Sequence, residues 1–101
     1  MEEKKTNRNQ QETTLSFLDQ CIKKCLRIRR AWDIFFRIVP PSTPDAPYSV
    51  ILEKGASSEK FFLTQRDVAR SVAAATDVYL TTDLRLAIQR LEKRANRKSK
   101  S

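Results

Sequence analysis

Residues 15–39 read LSFLDQCIKKCLRIRRAWDIFFRIV, and the rest of the chain has to be fitted around them. Leu18, Ile22, Cys25, Trp32, Phe36 and Val39 recur at intervals of three, four or seven, and Cys21, Ile28 and Phe35 widen the same stripe. That is the period of a helix burying one face. The spacing predicts a single helix from Leu15 to Val39, with Lys23, Lys24, Arg27, Arg30 and Arg37 mostly on its other sides. The stretch holds the one Trp, both Cys and three of the five Phe. A core is therefore expected to form against it, with Trp32 inside.

Working outward toward the N-terminus, residues 1–12 are polar and without periodicity, and are expected to form a flexible tail. Thr13 or Thr14 offers a side-chain oxygen to cap the helix. Asp19 then falls near the positive end of the helix dipole. Toward the C-terminus, Pro40-Pro41 stops the helix, because proline lacks the N–H and disfavours helix in the residue before it. All four prolines lie in residues 40–47, which read as a stiff linker.

Beyond the linker, Tyr48–Leu52 and Lys60–Leu63 are rich in β-formers, and the chain's one Gly, Gly55, lies between them. This predicts a β-hairpin lying on the first helix. Thr64 and Asp67 then open a helix in the manner of a capping box, with Val68, Val72 and Ala75 on one face. Val78-Tyr79-Leu80 reads as a short strand or a turn. Thr81 or Thr82 caps a last helix that buries Leu84, Ala87 or Ile88, Leu91 and Ala95. The fold class expected is α+β: one small domain with a long N-terminal amphipathic helix, a β-hairpin and two C-terminal helices. The domain spans residues 13–96, and residues 97–101 form a basic tail.

The segment Leu63–Arg94 resembles bacterial helix-turn-helix segments in its first half, where Thr64, Asp67, Val68 and Ala69 open a short helix. In that motif a tight turn sets the second helix into the major groove. Ala73 or Ala74 stands where a Gly is expected, and the stretch before the last helix is too long for it. A strand followed by two helices is also similar to ribbon-helix-helix repressors, but the ribbon would carry Phe61 and Phe62, which belong in a core. No family is assigned on these grounds.

Charge bears more directly on function. The 101 residues carry a net charge of +8. Residues 12–39 contribute +3 and residues 85–101 contribute +6, while residues 40–84 contribute −2. The uneven basic excess points to an anionic partner. The candidate binding residues are Arg85, Arg90, Lys93, Arg94, Arg97 and Lys98, helped by Arg27, Arg30 and Arg37. Arg90, Arg94 and Arg97 share a helix side by their spacing, and a row of guanidinium groups suits repeated phosphates. No aromatics interleave with these C-terminal charges.

The expected function is that of a small basic nucleic-acid-binding accessory or regulatory protein, for DNA or RNA. The alternative is an interaction adaptor docking an acidic protein, and self-association as a homodimer stays open. The absence of His removes the usual general base, so no enzyme activity is expected. Two Cys and no His cannot supply the four ligands of a structural zinc site, so neither metal nor cofactor is expected. Cys21 and Cys25 read as reduced, buried thiols. The N-terminus has no signal-peptide pattern, and no run reaches the ~18 apolar residues of a membrane span. A cytoplasmic location is the expectation.

Overall fold

A computed structural model describes the backbone of residues 2–100 and the side chains of residues 12–96. The elements in order are α1 (Glu2–Ile28), β1 (Phe35–Val39), β2 (Tyr48–Lys54), β3 (Ser57–Leu63), α2 (Gln65–Ala74) and α3 (Val78–Lys100). The fold is α+β: three helices and one three-stranded antiparallel sheet in the order β1-β2-β3.

The long helix expected from residue 15 to residue 39 is corrected at its C-terminal end. It stops at Ile28. Arg30 turns into the left-handed region at φ 55°, and two backbone bonds close the helix there. Ala31 N–H donates to the Leu26 carbonyl at 2.9 Å, and Arg30 N–H donates to the Arg27 carbonyl at 3.0 Å. This is the Schellman closure, which usually places glycine at the left-handed position. Here an arginine takes it. Beyond the break, Phe35-Phe36-Arg37-Ile38-Val39 is a run of aromatic and β-branched residues, and it pairs with β2 as a strand. The hairpin thus becomes a meander of three strands. At the other end, the backbone of residues 2–12 is helical, so the helix starts well before Thr13 and Thr14.

The proline segment consequently joins two paired strands rather than a helix to a hairpin. Gln65, the first residue of α2, holds it in place. Its side-chain amide Nε2 donates to the Pro44 and Ala46 carbonyls, each at 2.7 Å. The next connection is a two-residue turn, Gly55-Ala56, between Lys54 and Ser57. Gly55 supplies the positive φ of 58° that the turn requires.

Thr64 caps α2 as expected: its Oγ1 accepts from Asp67 N–H at 3.1 Å. Ala75 ends α2 in the left-handed region at φ 52°. It repeats the closure seen after α1, with Thr76 N–H on the Ser71 carbonyl at 3.0 Å. Residues 78–80, read as strand or turn, are instead the first turn of α3. The Thr81 N–H and hydroxyl both reach back to the Asp77 carbonyl. Only residues 75–77 separate α2 from α3, a far shorter connection than the sequence reading gave.

The core joins Leu18, Ile22 and Leu26 of α1 to Val50 and Leu52 of β2, Phe61 and Leu63 of β3, Val68 of α2, and Leu80, Leu84, Ile88 and Leu91 of α3. Strand alternation puts Phe61 inside and Phe62 outside. Phe35 and Val39 also face outward on the sheet, while Phe36 is half-buried. Trp32 is the largest departure from expectation. It is 70 % exposed, because the turn after α1 buries its neighbours Ala31 and Ile34 and leaves the indole pointing away.

Candidate nucleic-acid interface

The C-terminal half of α1 runs beside the corner where α2 turns into α3. Helical period turns Leu18, Ile22 and Leu26 inward, which leaves Lys23, Lys24 and Arg27 facing out along that corner. Two adjoining depressions lie there. One, of about 450 Å³, has Lys23, Lys24 and Arg27 on the α1 side and Ala75, Thr76 and Asp77 opposite. The other, of about 300 Å³, is lined by Lys24, Arg29, Thr81 and Arg85 among others. They share Lys24 and Asp77 and adjoin at that pair, and the two together are called the groove.

Five cationic side chains face this groove, Lys23, Lys24, Arg27, Arg29 and Arg85, against the single carboxylate of Asp77. Some of that charge is partnered. Lys23 pairs with Asp19 at 2.8 Å one helical turn away, and Arg29 with Glu92 at 3.2 Å. Lys24 lies 4.0 Å from Asp77, both of them solvent-accessible, a pair of small energetic weight. Arg27 and Arg85 have no carboxylate partner among the described residues. The surplus is therefore positive, concave and held on two helices.

Of the basic residues singled out from the sequence, two line this groove, Arg27 in the first depression and Arg85 in the second. The others stand apart. Arg30 occupies the left-handed position after α1 and is exposed. Arg37 projects from the outward face of the sheet, 3.9 Å from Glu53. Arg90 and Lys93 are exposed on α3 but do not line the groove. Arg94, about half exposed, is tied to β3, donating to the Ser58 carbonyl at 2.6 Å. Arg97 and Lys98 continue the α3 backbone, and their side chains lie outside the described residues.

Lys23, Lys24 and Arg29 join the groove although the sequence reading did not count them as binding residues. Their period on α1 was visible. What was missing was the neighbour: only the short α2–α3 turn puts Asp77, Thr81 and Arg85 against that face.

Cys21 and Cys25 are free thiols, half-buried, Cys21 lining the first depression and Cys25 the second. Burial pushes both thiols above their ordinary pKa. For Cys21 the nearby Asp77 carboxylate adds to the rise, while for Cys25 Arg29 and Arg85 oppose it. A raised pKa favours the neutral thiol, the less nucleophilic form. Among the described residues no group of three or more His, Cys, Asp or Glu side chains could hold a metal ion. No described helix is long and apolar enough to cross a membrane.

Comparison with known proteins yields no matching family, no matching curated protein and no matching solved structure.

Proposed function

We propose that this chain is a small nucleic-acid-binding protein that holds phosphates in the groove between α1 and the α2–α3 corner. The observation carrying the reading is the cationic lining of that groove, where Arg27 in one depression and Arg85 in the adjoining one have no carboxylate partner among the described residues. Nucleic acid presents evenly spaced phosphates, and each cation that meets one releases a condensed counterion. Arginine is suited to this because its planar fork places two N–H groups on one phosphate. The exposed Arg90 and Lys93 on α3 extend the positive field that steers a polyanion toward the molecule.

The test is fluorescence anisotropy of labelled DNA and RNA oligonucleotides against the intact protein and a Lys24→Gln, Arg27→Gln, Arg85→Gln variant. The three side chains are accessible, so the variant should fold as the parent does. The reading expects binding by the parent at roughly 50 mM salt and at least about a tenfold loss in the variant. A parent that binds no nucleic acid at low salt overturns it and puts an acidic protein partner first. Equal binding by parent and variant removes the groove from the site.

A further inference from the structure

The one Trp of the chain stands in water, on a turn that is fixed by its own hydrogen bonds. Ala31 N–H is bonded to the Leu26 carbonyl at 2.9 Å and Ile34 N–H to the Ala31 carbonyl at 3.3 Å. Ala31 and Ile34 are buried at 6 % and 5 % exposure, while Trp32 between them is 70 % exposed. The backbone on both sides of the indole is anchored, so the ring is presented from a defined position. Its location is more telling than its exposure. Trp32 lines a shallow depression of about 220 Å³ together with Lys23, Arg27 and Phe36. Lys23 and Arg27 also line the first depression of the cationic groove. The indole's depression therefore adjoins the groove through these two cations.

We propose that Trp32 is a base-stacking residue, and that the ligand of the groove is single-stranded nucleic acid. The inference rests on the phosphate-binding reading of the groove and names its ligand class. Two chemical features are needed to hold a single strand: cations that track the backbone and an aromatic face for a base. Here they adjoin. A base inside a duplex has both faces covered by its stacked neighbours, so an indole beside the groove finds a partner only on an unpaired base. Indole accepts any base by its π-face, so the contact carries little sequence preference. A second copy of this chain is a poor occupant, since it would bring Lys23, Arg27 and Arg30 of both copies toward one another.

The single Trp makes the test direct. The intact protein is titrated with unlabelled ten-nucleotide (dT) and (rU) strands and with a ten-base-pair duplex, and Trp emission is read beside anisotropy of labelled versions. The proposal expects single strands to quench the emission as they saturate. It expects Trp32→Ala to bind them about tenfold more weakly with an unchanged melting temperature, and Trp32→Phe to recover most of the loss. Binding with unchanged emission and undiminished affinity in Trp32→Ala overturns the stacking role while the groove reading stands. A preference for duplex over single strand overturns it too. Absence of binding to every oligonucleotide at low salt removes both. Sedimentation of the free protein adds one further outcome: a dimer that Trp32→Ala dissociates would assign the indole to self-association and overturn the proposal.

Discussion

Arg94 Nη2 lies 3.0 Å from Glu59 Oε2, a carboxylate with only 10 % of its side chain exposed. The same guanidinium donates to the Ser58 carbonyl at 2.6 Å. Arg94 thus ties the C-terminal part of α3 to the start of β3, and it supplies the counter-charge for a carboxylate that water barely reaches. Removing it leaves Glu59 without that partner, which costs more than the pair itself is worth. Arg94→Gln should destabilise the protein by about 1–3 kcal/mol, toward the lower end because Arg94 is itself half exposed. Arg90→Gln, one turn earlier and exposed, should stay within about 0.5 kcal/mol. Urea unfolding of the two variants checks this, and equal stability of both would refute the structural role of Arg94.

Ala75 carries a Cβ at φ 52°, where an L side chain crowds the following carbonyl. Ala75→Gly should relieve that strain at the α2 C-terminus and stabilise the fold. Glycine's greater freedom in the unfolded chain offsets part of the gain. The expected net effect is about 0.5–1 kcal/mol of stabilisation, read as a rise in thermal midpoint. A fall in the midpoint would mean that the methyl group contributes packing that outweighs the strain.

The thiols give a pH dependence of stability. Burial raises Cys21 and Cys25 above their unfolded values, and it raises Tyr48 as well. A raised acid keeps its proton in the folded state while the unfolded chain loses its own. The contribution to stability is therefore complete below the unfolded pKa and falls as pH climbs through the folded one. Stability should decline in the alkaline range, from the ordinary thiol pKa of about 8.5 upward. A Cys21→Ala, Cys25→Ala variant should show a shallower decline, leaving the Tyr48 part. Urea midpoints at neutral and alkaline pH measure it, and a parent and variant with identical slopes would contradict it.

The parts of the fold legible in the sequence were those set by local pattern. The stripe of α3 through Leu84, Ile88 and Leu91 is buried as its spacing implies, and so is Val68 after the Thr64 cap. The end of α1 was not legible, because the usual signal is a glycine at the left-handed position and the chain spends its only Gly at residue 55. Arg30 and Ala75 adopt that conformation instead. With the break hidden, Phe35 and Val39 continued the helical stripe by coincidence of spacing, and Trp32 was drawn into a core that it does not enter. The groove was half legible. The cations of α1 and Arg85 were visible as charges, but their adjoining depressions depend on a three-residue turn that no local pattern announced.

The central claim, phosphate binding in the α1/α3 groove, is tested most directly by salt. The affinity for a single-stranded oligonucleotide is measured at several salt concentrations for the parent and for the Lys24→Gln, Arg27→Gln, Arg85→Gln variant, and log K is plotted against log salt. Each lost phosphate contact lowers the slope by about 0.7 for a single strand. The account predicts a linear plot for the parent and a slope shallower by about two units in the variant. Identical slopes for the two proteins, or a parent affinity indifferent to salt, would contradict it.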